Sequence, residues 1–470
     1  MDDETLAFTP AVELAPLIRA TKLSPVELTR VLLERIARLE PKLNAFAYLA
    51  ADRAMEEARR AEQALMTGER IGRLHGIPVT IKDLTITKDM PTQFGSKIFA
   101  GHQPAEDTPL VARLQEEGAI VLGKTTTSEF GWSGISRCPL TGITHNPWQH
   151  GANAGASSAG AGVAAASGMG PLHQGSDGAG SIRMPAHFCG VVGLKPTFGR
   201  VPCYPVSVGD YTTHNGPITR TVADTALMLR VMAGPHPLDH TTCEAGPADY
   251  LGRLHEGIAG KRIAFSPDLG HARVDPDVAA LVRAAVARFE ALGATVEEVA
   301  TPWAADGPEL ARFFWSAHMT RLAPHLGAWE QQMDPGLVAC IKSAQDYPVS
   351  QYQLMRERKM AYVAAIHRWF QDWDLLLTPA VSVAAFPVER LMPEHWPQHE
   401  WGWVTWAEFS YPFNMSGDPA VSVPCGFTAE GLPVGLQIVG RRFDDLGVLQ
   451  AAAAFEAVQP WADKRPFLAA

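Results

Sequence analysis

Two serine-bearing segments and one lysine have the residue types and spacing for acyl chemistry. The first reads Gly155-Ala156-Ser157-Ser158-Ala159-Gly160, and the second Gly175-Ser176-Asp177-Gly178-Ala179-Gly180-Ser181-Ile182-Arg183-Met184-Pro185. Small residues let a backbone approach a substrate closely and leave several N–H groups free to converge on one atom. Attack on a carbonyl needs that convergence, because negative charge develops on the carbonyl oxygen. In the second segment the amides of Gly178, Ala179, Gly180 and Ser181 are the candidate donors, beside a candidate nucleophile, the Ser181 hydroxyl. A hydroxyl is a weak nucleophile at neutral pH and requires a base. Lys82 follows the apolar run Ile77-Pro78-Val79-Thr80-Ile81 and is therefore poised for burial. Burial disfavours the ammonium form and draws a lysine down from about 10.4, which would let it accept a proton. Each motif also has an ordinary reading, the Gly/Ser stretch as a turn or linker and the lysine as a solvated cap.

Three other patterns imitate binding sites and fail on local grounds. Gly118 to Thr125 matches the phosphate-loop spacing GxxxxGK followed by Ser or Thr. Its four intervening residues are all apolar and read as a buried strand, whereas a phosphate cradle needs the strand before the first glycine and a flexible loop after it. Gly155 to Gly162 lacks both the GxGxxG spacing and a clear preceding strand. His236 and His240 sit in a Pro-rich turn without a third ligand, so no metal and no cofactor is expected.

The elements that must hold these groups alternate along the chain. Ser24-Pro25-Val26-Glu27 has capping-box spacing with Pro at the first helical position, and Leu28, Val31, Leu32 and Ile36 follow at helical intervals. Thr221-Val222-Ala223-Asp224 opens a second helix in the same way, and residues 276–292 and 351–372 read as amphipathic helices. Between them lie apolar runs at Ile77–Ile81, Ala119–Leu122, Arg262–Phe265, Leu375–Leu377 and Val421–Pro424. Strand-like runs alternating with helices predict an α/β fold with a largely buried mixed sheet. From 151 to 200 the composition turns to Gly, Ala and Ser with almost no charge, which demands a reason.

Bulk composition narrows the function classes. The chain has 470 residues, enough for a large core, and no linker or fixed-period repeat at which to divide it. Its net charge of −10 comes without a basic run, so nucleic acid is not an expected partner. Met1-Asp2-Asp3-Glu4 has the wrong charge for a secretory leader. The apolar stretch Gly160 to Gly170 is far short of the ~20 residues a membrane span requires. Six cysteines without CxxC pairing imply neither a disulfide frame nor zinc, and the expected address is cytoplasmic.

The run from Asn146-Pro147-Trp148 to Pro196-Thr197-Phe198-Gly199-Arg200 resembles the amidase signature. It carries Gly175-Ser176-Asp177, Gly180-Ser181-Ile182-Arg183, Pro185-Ala186, Phe188-Cys189-Gly190 and Gly193-Leu194-Lys195-Pro196-Thr197. Further landmarks are Gly76 through Asp83, Gly123-Lys124-Thr125 with Glu129-Phe130, Leu376 to Pro379, Asn414 to Pro424 and Gly431 to Gln437. The resemblance implies a single domain over 1–470, with a mixed central β-sheet surrounded by helices. Its signature core would span about 70–235 and 375–460, and a divergent substrate-side region about 300–410. It also implies amide hydrolysis through an acyl-enzyme, with Ser181 as nucleophile, Lys82 as base, and Ser157, preceded by a cis peptide bond, as proton relay. Asp177, Arg183 and Ser158 would be structural supports. Three positions depart from the usual glycines, namely Ala156, Ala159 and Ala179, and alanine would be strained at any of them that needed positive φ.

The signature does not separate general amidases, aryl acylamidases and urethane-cleaving members from the glutamyl-tRNA amidotransferase member of the family, which works only with partner chains. The expected partner is a small amide or carbamate, with a homodimer left open. Nine of the twelve tryptophans lie between 303 and 406. Trp401, Trp403 and Trp406 are the candidate aromatic wall for a bulky substrate, with core packing as the competing reading.

Overall fold

Ser24 caps its helix as its position requires. Its hydroxyl accepts from the Val26 and Glu27 amides at 3.1 Å each, and helix Pro25–Leu43 follows. Thr221 accepts from the Asp224 amide at 3.2 Å at the head of helix Val222–Met232. The other two expected helices form as Pro276–Ala291 and Val349–Trp369. The structure is a computed structural model that describes residues 1–209 and 211–469.

In chain order the strands are β1 (Phe46–Leu49), β2 (Pro78–Lys82), β3 (Ile120–Thr125), β4 (Arg137–Cys138), β5 (Gly142–Ile143), β6 (Leu172–Asp177), β7 (Val192–Lys195), β8 (His214–Thr219), β9 (Arg262–Phe265), β10 (Thr295–Glu298), β11 (Leu375–Pro379), β12 (Ala420–Phe427) and β13 (Pro433–Gly440). Strands β4 and β5 pair only with each other; the other eleven form one sheet in the order β1-β3-β2-β6-β8-β7-β12-β13-β11-β9-β10. Pairs β2–β3, β2–β6, β9–β11 and β9–β10 are parallel and the rest antiparallel. This is the mixed sheet that the alternation predicted, wrapped in helices and in one domain as the resemblance implied. No helix among the described residues is long and apolar enough to cross a membrane.

Five strands were readable from apolar runs, but β6 was not. Its sequence Leu172-His173-Gln174-Gly175-Ser176-Asp177 is polar, yet the strand lies in the middle of the sheet and is almost wholly buried. Its polar groups are matched by neighbours. The His173 imidazole meets Thr80 Oγ1 at 2.9 Å and the Gly170 carbonyl at 3.0 Å. Gln174 Oε1 accepts from the Lys82 amide and from Thr85 Oγ1, both at 3.0 Å. Buried polar groups that are paired this way cost little, and they leave no hydrophobic run to detect.

The Gly/Ala/Ser composition of 151–200 also has its reason here. Helix Ala159–Ala166 is buried on every side. A Cβ on Gly160 would stand 2.1 Å from the Ala45 carbonyl oxygen and 2.5 Å from the Thr126 amide nitrogen. Small residues let this helix press onto the chain beside β3. None of Ala156, Ala159 and Ala179 takes a positive φ; that conformation falls on Gly155 (+73°) and Gly180 (+117°), so the alanines are unstrained.

Candidate active site

Two parallel neighbours, β2 and β6, end side by side, and the candidate groups gather at their C-terminal ends, where ligands collect in parallel sheets. Lys82 is the last residue of β2 and Asp177 the last of β6. Lys82 is fully buried. Its Nζ donates to Ser157 Oγ at 2.7 Å, to Ser176 Oγ at 3.1 Å and to the Ser176 carbonyl at 3.2 Å. Burial draws its pKa well below the ordinary 10.5, and the Asp177 carboxylate opposes that only in part. The Ala156–Ser157 peptide bond is cis. The next amide, on Ser158, donates to the Ser181 carbonyl at 3.2 Å, which sets the two serine segments against each other. The Ser158 hydroxyl accepts from the Ser176 amide at 3.3 Å and donates to the Ser176 carbonyl at 3.1 Å, pinning the end of β6.

The glycine-rich turn after β6 is organised by one buried ion pair. Arg183 Nε and Nη2 donate to the Asp177 carboxylate at 3.0 Å each, and both side chains are fully buried. Asp177 Oδ1 also accepts from the Gly180 amide at 2.6 Å, and Oδ2 from the Ile182 amide at 3.2 Å. Burial alone would raise this carboxyl, but the adjoining Arg183 guanidinium, with Asn414 and Lys195, holds it far below the usual carboxylate range. Arg183 reaches on to Asn414 Oδ1 at 2.5 Å and Gln437 Oε1 at 2.8 Å, so two distant landmarks of the sequence serve this one guanidinium. One correction follows. The Gly180 amide, expected to face a developing oxyanion, is committed to Asp177, whereas the amides of Gly178, Ala179 and Ser181 meet no acceptor among the described residues.

Ser157 and Ser181 open onto a cleft of about 200 Å³. Gly131 lies against it at φ +72°, where a Cβ would sit 2.8 Å from Leu84 Cδ1 and 3.2 Å from Ser157 Oγ. The aromatic lining comes from Phe130, Tyr204 and Trp315. This corrects the tryptophan expectation, since Trp401, Trp403 and Trp406 are all buried and none of them lines the cleft. Their indoles are used internally. Trp403 Nε1 donates to the Trp132 carbonyl at 2.8 Å and Trp406 Nε1 to the Leu391 carbonyl at 3.1 Å. Trp403 backs the cleft from behind, with its ring edge-on to Trp315 at 5.3 Å. Sequence reading missed Trp315, although it was among the nine clustered tryptophans. Its helix, Gly307–Met319, carries aromatics on several sides, so periodicity gave it no distinction.

The decoys resolve structurally. All but the first two residues of the motif from Gly118 to Thr125 form β3, and Lys124 Nζ is enclosed by the Thr85 carbonyl at 2.6 Å, Thr92 Oγ1 at 2.6 Å and Thr87 Oγ1 at 3.1 Å. No space for a phosphate remains. Among the described residues no group of three His, Cys, Asp or Glu side chains is placed to hold a metal ion.

Comparison with known proteins fits this geometry. The amidase family profile matches residues 27–449. An acylamidase of Rhodococcus erythropolis is 37% identical over 99% of this chain and 98% of its own length. A glutamyl-tRNA(Gln) amidotransferase subunit of Moorella thermoacetica is 34% identical over 98% of this chain and 99% of its own length. The crystal structure of a bacterial aryl acylamidase of the amidase signature family superposes with a TM-score of 0.90 at 29% identity, over 97% of each chain. A buried lysine, two serines lining one cleft and a glycine turn on an eleven-stranded mixed sheet thus sit in a chain that belongs to the amidase signature family and hydrolyses amide bonds.

Proposed function

We propose that this chain is a free-standing hydrolase of aryl amides that works through a Ser181–Ser157–Lys82 relay and an acyl-enzyme. The observation that carries the relay is the 2.7 Å contact between Ser157 Oγ and the fully buried Lys82 Nζ. A neutral lysine has a lone pair, so Ser157 can pass its proton to Nζ while taking the proton of Ser181. Ser181 Oγ then bonds to the substrate carbonyl carbon, and the Gly178, Ala179 and Ser181 amides receive the oxyanion. Collapse breaks the C–N bond, and the relay returns its proton to the departing amine. Water then attacks the ester by the same route and frees the acid. An aryl carbamate presents the same planar carbonyl, so the relay would serve it equally.

The aromatic lining of Phe130, Tyr204 and Trp315 supports a flat leaving group, because ring contacts add about 0.5–1.5 kcal/mol beyond area burial. The divergent region, about 300–410, contributes Trp315 to that wall. The likeness to a component of an amidotransferase favours a second reading, in which the chain acts only with partners. Turnover of acetanilide-type substrates by the purified single chain separates the two. Ser181→Ala should abolish that turnover with the fold intact. Ser157→Ala and Lys82→Ala should each cost several orders of magnitude, and the double variant little more than either single one, as for groups acting as a unit. Substantial turnover by Ser181→Ala would overturn the assignment.

A further inference from the structure

The cleft wall carries a charge that the relay does not use. Trp315, His318 and Met319 fall at i, i+3 and i+4 on helix Gly307–Met319, and Arg321 follows in the next turn; all four line the cleft that holds Ser157 and Ser181. No Asp or Glu is among the described lining residues, although the whole protein carries −10. Glu106 touches that lining only from outside, accepting from the Tyr204 hydroxyl at 2.9 Å. Arg321 itself makes no hydrogen bond or ion pair with a described residue. Its side chain is exposed to solvent, and the protein atoms around it desolvate it enough to lower its pKa. Arginine nevertheless stays charged, and its guanidinium offers five donors in a fork that matches a carboxylate. An arginine on a cleft wall, with no partner among the described residues, is suited to receive an anion there.

We propose that Arg321 binds a carboxylate on the substrate, so that the preferred amides carry one on either the acyl or the amine portion. The inference rests on this cleft being the site of amide hydrolysis. Two matched pairs test it: glutaryl against pentanoyl para-nitroanilide for the acyl side, and para-acetamidobenzoate against para-methylacetanilide for the amine side. In the unmodified protein the charged member of at least one pair should have the higher kcat/KM. Arg321→Gln should lower the charged-to-neutral ratio of that pair roughly 10- to 100-fold, and Arg321→Lys should recover part of it. A ratio unmoved by Arg321→Gln in both pairs would overturn the proposal. Binding gives a readout independent of catalysis. Phenylbutyrate should bind the unmodified protein roughly tenfold or more tightly than phenylbutanol, and Arg321→Gln should erase the difference. Equal binding in the unmodified protein refutes the carboxylate site, while absent turnover with that preference intact refutes the hydrolase reading instead.

Discussion

If Lys82 is the base, it must be neutral in the folded protein at working pH, and that has a measurable cost. Its pKa lies well below 10.5 when folded, through burial, and returns to 10.5 on unfolding. Between those values the unfolded chain binds one more proton than the folded one, so stability rises with pH. The slope for one proton is about 1.36 kcal/mol per pH unit. At about pH 7.5, three units below 10.5, holding the amine neutral therefore costs about 4 kcal/mol. Lys82→Met removes the titrating group and keeps an unbranched side chain in its place. It also removes the hydrogen bonds to Ser157 and Ser176, a loss of about 1–3 kcal/mol that does not vary with pH. The quantity to read is thus the slope of the difference. Urea unfolding followed by tryptophan fluorescence, from about pH 7.5 to about pH 9.5, should show the unmodified protein gaining on Lys82→Met by about 1.4 kcal/mol per unit. The buried Lys124 and Lys195, both lowered to about 7 by desolvation, are present in both proteins and drop out of the comparison. In parallel, kcat of the unmodified protein should rise with pH and level off well below 10.5. A flat stability difference would mean that Lys82 is charged in the fold and cannot accept the Ser157 proton.

Three further outcomes are expected. Asp177→Asn leaves the Arg183 charge buried without its partner and should destabilise the protein by about 3–5 kcal/mol in urea unfolding. Trp403→Ala, at a fully buried ring, should cost about 3–5 kcal/mol of stability; Trp315→Ala, at a half-buried ring on the cleft, should instead raise KM for aryl amides roughly tenfold.

The proposed reactive groups were legible as candidates because they travel in short local motifs. Ser157, Ser181 and Lys82 each sit at a forced backbone feature, a tight turn or a strand end, and that feature writes small or apolar residues beside them. The wall of the cleft was not legible, because a substrate surface is assembled from side chains far apart in sequence. Trp403 and Trp406 lie close to the Asn414 landmark along the chain, but their short helical turn, Trp403–Trp406, points them inward behind helix Gly307–Met319. Closeness to a landmark in sequence does not imply closeness to a cleft. The fold class followed from alternating apolar runs, whereas β6 escaped because polar residues can occupy a central strand when their partners lie on the next one. The same strand supplies Asp177, so the least recognisable strand is the one the site depends on most.

That dependence explains why the turn after β6 tolerates no loose end. An oxyanion hole works only if its donors are already aimed when charge develops, since reorganising them during the reaction would forfeit the gain. A glycine-rich turn has no intrinsic reason to hold one conformation. Here the Asp177 carboxylate takes up the Gly180 and Ile182 amides, and this leaves the Gly178, Ala179 and Ser181 amides without an internal acceptor among the described residues. The carboxylate can do so only while it remains ionised in a fully buried place, which the Arg183 fork ensures. Arg183 is fixed in turn by Asn414 and Gln437, from the far half of the chain. The rigidity of a flexible sequence is thus supplied by a charge pair that need never touch the substrate, and the turn's freedom to approach a carbonyl closely is kept without its freedom to wander.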